Sequence, residues 1–449
     1  MRARSEGRCA RTLVAFALLS AAGPSAMRAQ QQMTGPVTAI RAGRLVDPET
    51  GAIANNQIIL VQGGRFTAIG ANVSVPAGAQ VIDLSSLTVL PGLVDAHNHL
   101  ALTYKEEPER NIYYLTYVLD PTPLRAIQAA SNGIQLLSSG FTVVRDLGNN
   151  ANYADTAHRV AIDQGWIPGP TLINSGLIIG GLGGQFWPTP EMAKQHSIVY
   201  PEYLEADTPD EIVKAVRQNL LFGAKIIKIC VDCKPWGYSV DEMKLFVREA
   251  AKAGLRVAGH VQTPEGATRA LDAGIWSIEH GFALTEEHHK RMAEQGTFLA
   301  STDTPREFAR SPEEYTNTVA KLKSAWSRGV KITFSTDMDY WRTGDTRSRG
   351  ELTIAFLSTW KDAGIPAADT LKAMTVTGFA CAQVEKERGA IRPGLFADLI
   401  AVRGNPLEDI DTLRDVRFVM KDGLVFKRDG VMTPAAFFHA GPVKGWRKR

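Results

Sequence analysis

Two histidines one residue apart, His97 and His99, close the apolar run VLPGLVDAHNHL at residues 89–100. In an extended strand, side chains two positions apart share a face. Both imidazoles can therefore address one ion. Further along, Lys228 lies inside KIIKIC, His260 ends RVAGH, His280 ends SIEH and Asp337 ends KITFSTD. Imidazole nitrogen and carboxylate oxygen are the mixed donor set that Zn²⁺ and its neighbours accept.

Each residue alone has an ordinary explanation. A lysine in an apolar run usually snorkels its charge to water. A histidine at a strand end is often a satisfied core residue, and an aspartate there often caps a helix. Their joint placement, each at the end of an apolar run, argues for one shared metal centre. The other five histidines, His158, His196, His288, His289 and His439, lack a strand-end position and read as surface residues.

The elements that must position these groups alternate. From about residue 91 to 388, apolar β-rich runs such as FTVVRDLG, TLINSGLI and TFLAST are separated by helical stretches such as SVDEMKLFVREAAKAG and TPEGATRALDAG. Strand–helix alternation over that length predicts an α/β fold, a (β/α)8 TIM-like barrel whose chemistry sits at the C-terminal strand ends. Residues 36–90 and 389–432 have a different texture, short strands broken by PETG, QGG and RDG turns. These two segments are expected to pair into one small β-sandwich domain beside the barrel. Residues 433–449 read as a loose basic tail.

Residues 1–29 read as a cleavable signal peptide: a basic start, the short apolar core TLVAFALLSAAG, then small residues with cleavage near Ala26 or Ala29. The core is too short to span a bilayer comfortably. This segment carries five arginines against one glutamate, so its removal takes the formal net charge from +3 to about −1. The basicity belongs to the signal, which argues against a nucleic-acid or membrane partner for the mature chain and points to a secreted or periplasmic protein. Cys9 leaves with the signal. Cys230 and Cys233 in CVDC read as packed or locally bridged rather than as a zinc half-site or redox pair, since a second cysteine pair is missing.

The blocks LPGLVDAHNHL, GFTVVRDLG, GAKIIKI, AGLRVAGHV, SIEHG, STD and RPGLFADLIAVRGNPLEDI follow one another over nearly the whole mature chain. In kind and order they resemble the metal-dependent amidohydrolase superfamily, closest to its Xaa-Pro dipeptidase-like and imidazolonepropionase-related branch. The resemblance implies a binuclear centre. His97 and His99 would bind one ion with Asp337, and His260 and His280 the second. Lys228 would carry a CO₂-derived carbamate bridging both; Lys225 is the nearby competitor, further from the strand's end. The two divalent ions would be Zn²⁺, with Mn²⁺, Co²⁺ or Fe²⁺ open. A bridging hydroxide would attack a carbonyl, with Asp337 as proton shuttle. No G-x-S-x-G elbow offers a serine alternative.

Substrate contacts are expected in the loops after the strands. Gln185 stands where relatives often carry a histidine, Tyr238 is a candidate hydrogen-bond donor, Trp341 could wall the pocket, and Arg342 or Arg347 could meet a carboxylate. The leading expectation is a hydrolase of amide or peptide bonds in a small molecule or short peptide, of dipeptide, Xaa-Pro or N-acyl amino acid type, with a homo-oligomer open. A lactone, carbamate or organophosphate hydrolase on the same ions is the alternative. Lys228 argues against a mononuclear deaminase or imidazolonepropionase, and the filled ligand set against a catalytically silent binding protein.

Overall fold

The computed structural model describes residues 35–103, 119–193, 200, 202–339 and 345–433. The proposed signal peptide, nearly all of the tail, His196, His439, Trp341 and Arg342 lie outside these residues.

Segments from both ends of the chain meet in one sheet. The N-terminal part supplies β1 (Thr38–Asp47), β2 (Ala52–Gln62), β3 (Arg65–Gly70) and β4 (Gln80–Pro91). The C-terminal part supplies β15 (Leu399–Val402), β16 (Val416–Lys421), β17 (Leu424–Arg428) and β18 (Val431–Met432). The strand order is β18-β17-β16-β15-β4-β1-β2-β3, and the two parts join where β4 runs antiparallel to β15, with Leu90 opposite Ile400. Alternation sorts the side chains. Val89, Leu399 and Ala401 enter a small core with Ile40, Phe66 and Phe418, while Leu90, Ile400 and Val402 join the main core. The eight described strands are hydrogen-bonded into one continuous sheet, where a two-layer sandwich was expected. Its β3 edge turns back on the approach to β15, where Phe66 N–H donates to Leu395 O at 3.0 Å and Ala397 N–H to Gly64 O at 2.9 Å.

The middle of the chain builds parallel strands. One sheet holds β5 (Leu93–Asn98), β6 (Phe141–Asp146) and β7 (Thr171–Asn174). The other holds β8 (Ile178–Gly180), β9 (Tyr203–Glu205), β10 (Ile227–Cys230), β11 (Val257–Val261), β12 (Ser277–His280), β13 (Phe298–Ala300) and β14 (Lys331–Thr333), in the order β14-β13-β12-β11-β10-β8-β9. Nearly every residue of β5, β6 and β10–β12 is buried, as expected for strands covered on both faces. Helices α1 (Thr122–Ser138), α2 (Ala154–Asp163), α3 (Pro209–Leu221), α4 (Val240–Ala251), α5 (Pro264–Ala273), α6 (Glu286–Gln295) and α7 (Pro312–Ser327) intervene. Their starts are signalled locally: Thr208 with Glu211 and Ser239 with Glu242 form reciprocal capping boxes on α3 and α4.

The parallel strands do not pair round a complete ring, which corrects the expected closed barrel. At one seam the chain leaves β7 through Gly176, at φ +66°, so that β8 rather than β7 pairs with β10. At the other, β14 is only three residues long, and single bonds stand where a ladder would be. Ala96 N–H donates to Phe334 O at 2.9 Å and Asp337 N–H to His97 O at 2.8 Å.

Between β4 and β5 the backbone at Gly92 passes so close to β6 that a Cβ would sit 2.2 Å from Thr142 Oγ1. Gly92→Ala is expected to destabilise the protein by about 1–3 kcal/mol through overpacking, read as a lower urea midpoint at unchanged slope.

Candidate metal centre

β5 delivers the first of the expected donor residues. His97 is fully buried and His99 nearly so. The Nδ1 of His97 donates to Glu279 Oε2 at 2.7 Å, leaving Nε2 to face Lys228 Nζ at 3.5 Å and Asp337 Oδ1 at 3.4 Å. The Nδ1 of His99 donates to Gly148 O at 2.7 Å, and its Nε2 lies 2.8 Å from Asp337 Oδ1. In both rings a bond behind Nδ1 turns Nε2 toward the centre.

The other groups arrive from β10, β11, β12 and the segment after β14. The rings of His97 and His280 are 4.8 Å apart and those of His260 and His280 4.4 Å. His280 Nδ1 sits 3.1 Å from Thr302 Oγ1 and 3.5 Å from Asp337 Oδ2. Donor atoms of His97, His280 and Asp337 lie within 4.8 Å of one another, so the set fits a divalent ion. The six strand-end residues are thus brought together. Lys225 is not the lysine of the centre: it lies half-buried before β10, its backbone N–H donating to Asn174 O at 2.7 Å.

Burial and mutual charge set the protonation states. Burial, reinforced by Lys228, lowers His97 to about 4 and His260 to about 3, and burial with His260 pushes His280 well down. Neutral imidazoles keep a lone pair for an ion. Burial lowers Lys228 to about 8, against the pull of Glu279 and Asp337. Burial works against an ionised Asp337, yet His97, His99 and Lys228 hold its carboxyl down at about 2. Two of these candidate donors also sit at strained backbone, His280 at φ +65° and Asp337 at φ +54°. Such conformations cost on the order of 1–3 kcal/mol each and cluster at functional sites.

Sequence reasoning missed the groups behind these candidate donors. Glu279, fully buried, also takes a salt bridge from Arg145 at 2.9 Å and a hydrogen bond from Ser277 Oγ at 2.5 Å. Arg145 in turn donates to Cys381 Sγ at 2.8 Å. Asp95, also buried, accepts from Thr336 Oγ1 at 2.6 Å and Asn98 Nδ2 at 2.7 Å, tying β5 to the segment that carries Asp337. Burial pushes its carboxyl up to about 6. All three charges lie in apolar runs already quoted, a signal that was present but not weighed.

The substrate candidates divide. Gln185 Nε2 lies 3.3 Å from His260 Nε2, at the centre's edge, and its Oε1 accepts from the Tyr203 hydroxyl. Tyr238 is buried, its hydroxyl donating to Ala206 O at 2.8 Å and its ring packing edge-on to Phe246, so it belongs to the core. Arg347 is held in a fork by Glu307 and Asp345. Trp341 and Arg342 lie outside the described residues. The surface reading of three histidines is overturned: His158, His288 and His289 are buried. His288 completes a capping box with Thr285, and His289 bonds Ser324 of α7 at 2.9 Å. Cys230 and Cys233 are joined by a disulfide.

A histidine, carboxylate and lysine cluster at the C-terminal ends of parallel strands defines an α/β enzyme with a metal-type centre. The sequence profile of the amidohydrolase family matches residues 88–425, and the chain belongs to that family: it is an amidohydrolase, an enzyme hydrolysing amide- or peptide-type bonds. It is 27% identical to an ochratoxinase of Aspergillus niger, over 88% of both chains. An imidazolonepropionase of Alkaliphilus metalliredigens is 25% identical over 76% of this chain and 82% of its own. Among solved structures, a Xaa-Pro dipeptidase with methionine bound in its active site superposes with a TM-score of 0.73 at 28% identity, covering 87% of this chain and all of that one.

Glu279→Ala would strand the buried Arg145 guanidinium and the Nδ1–H of His97. The expected loss is about 3–5 kcal/mol, measured by denaturant unfolding, with Glu279→Gln losing less because its amide still bonds.

Proposed function

We propose that this chain is a secreted binuclear amidohydrolase that cleaves an amide or peptide bond in a dipeptide, Xaa-Pro or N-acyl amino acid substrate. The observation that carries the reading is the convergence of His97, His99, Lys228, His260, His280 and Asp337 from five separate chain segments. His97 and His99 with Asp337 would hold one ion, His260 and His280 the other, and a carboxylated Lys228 both. Asp337 lies between the two groups, 2.8 Å from His99 and 3.5 Å from His280. The lowered pKa of Lys228, about 8, supplies at neutral pH some of the free amine that addition to CO₂ requires.

Zn²⁺ or Mn²⁺, Co²⁺ or Fe²⁺ held there would supply a Lewis acid and an acidified water. The chain's own part is to hold and move a proton. Asp337 is ionised, with its side chain about a third exposed, so it can take a proton at the centre and return it to a leaving amine. Gln185, beside His260, is placed to hydrogen-bond a substrate but not to titrate. The names of the related Xaa-Pro dipeptidase and ochratoxinase fit a small-molecule or short-peptide substrate. The alternative on the same donors is a lactone, carbamate or organophosphate hydrolase.

The finer architecture belongs to the same reading. Residues 91–388 would form the α/β amidohydrolase unit, its open seam bridged by the single bonds from Ala96 and Asp337. Residues 36–90 and 389–432 would form the accessory β-domain, and residues 1–29 the export signal. Among the described residues, no helix is long and apolar enough to cross a membrane.

A hydrolysis screen of the purified mature protein tests the reading. Xaa-Pro and other dipeptides and N-acyl amino acids are expected to be turned over faster than lactones or phosphotriesters; the reverse order would sink it. Chelation should abolish turnover, and Zn²⁺, Mn²⁺ or Co²⁺ should restore it. Asp337→Asn should retain most of its metal by elemental analysis yet lose roughly 10²–10⁴-fold in rate. Lys228→Ala should lose metal and activity, with partial rescue by small carboxylic acids.

A further inference from the structure

A second group of donor atoms touches the centre from behind. Cys230 ends β10, directly in register with His260 on β11. Cys233 follows on the next turn, and the two sulfurs are joined. Both sulfurs and a ring nitrogen of His260 lie within 4.8 Å of one another. The neutral amides of Gln185 and Gln262 approach the same ring at 3.3 and 2.9 Å, while the charges of Lys228 and Asp337 act on it with opposite sign. The disulfide lines a cavity of about 250 Å³ with Asp207, Lys234 and Trp236, which gives a small reductant or an ion a route to it.

We propose that Cys230, Cys233 and His260 form a soft-metal site that is closed by the disulfide and opened by its reduction. Disulfide sulfur is a poor ligand, whereas two thiolates and an imidazole are a Zn²⁺-type donor set with a fourth position open to water. A dithiol reductant breaks the S–S bond, giving up two electrons and two protons and becoming a disulfide itself, while Cys230 and Cys233 become thiols. Capture of the ion releases the two thiol protons. Cys381 takes no part, being buried against Arg145. The site goes beyond the hydrolytic reading and stands without it. It also places a competitor for His260 beside the centre: the oxidised form leaves the imidazole free to face His280, and the reduced form draws it toward sulfur.

The full chain, stripped of metal, is divided into an oxidised sample and one reduced with dithiothreitol under argon and desalted. Both are titrated with Co²⁺. The reduced protein is expected to develop an intense near-ultraviolet sulfur-to-cobalt charge-transfer band. The oxidised protein, binding Co²⁺ through nitrogen and oxygen only, should not. Cys230→Ser and Cys233→Ser, checked for native circular dichroism, should lose the band, and His260→Gln should shift or weaken the band itself. No band in the reduced wild type overturns the site, as does a band that survives in the Cys230→Ser/Cys233→Ser double variant or one unchanged by His260→Gln. Failure of the hydrolysis screen leaves these spectra unaffected, so the two readings are judged separately.

Discussion

The ion pair between Arg145 and Glu279, both fully buried, is the constraint on which the centre rests. Isolated, either charge would be costly to remove from water; together with Ser277, Cys381 and His97 each finds partners. The pair spans β6 and β12, across the space between the two parallel sheets. Its outer oxygen fixes the ring of His97, and through that ring the positions of Lys228 and Asp337 are felt. A lysine can be kept buried there because two carboxylates, Glu279 and Asp337, oppose its desolvation. The polar interior is thus one network, in which metal-type donors face inward and charge compensation stands behind them.

The strained backbone follows from the same demand. Residues 279 and 280 of a regular strand would point to opposite faces. Here both reach His97: Glu279 by its carboxylate and His280 by its ring, 4.8 Å away. The positive φ of His280 breaks the alternation and makes this possible. Asp337 uses the same device, at φ +54°, just where its backbone N–H is captured by His97 O. The chain accepts unfavourable torsions at two strand ends in order to crowd donors into one volume.

These irregularities also explain what could and could not be read from the amino-acid order. His97, His99, Lys228, His260, His280 and Asp337 were legible because each ends or interrupts an apolar run, and period-2 reasoning needs nothing more. Glu279 stands in the same apolar run as His280, but strict alternation assigns it to the opposite face, away from the centre. Tyr238 was misread because a loop aromatic gives no sign of whether its hydroxyl is already spent, here on Ala206 O. His288 and His289 looked peripheral because helix position alone does not say that one caps α6 and the other meets α7. The alternation of strands and helices was visible, and so was the return of short strands near the C-terminus. Ring closure was not, since it turns on the three residues of β14 and the detour through Gly176.

The accessory sheet is therefore more than an appendage. β4 pairs with β15 on one side of Gly92, and β5 begins on the other, so the strand that ends in His97 and His99 is anchored at its start by the C-terminal segment of the chain. Leu90, Ile400 and Val402 carry the main core through this junction without a break. The start of β5 is held on both sides, because Leu93 pairs with Phe141 of β6 and only a glycine at position 92 leaves space for the Thr142 side chain. The pairing of β4 with β15 thus fixes the start of the strand that carries His97 and His99, which couples the accessory sheet to the geometry of the centre.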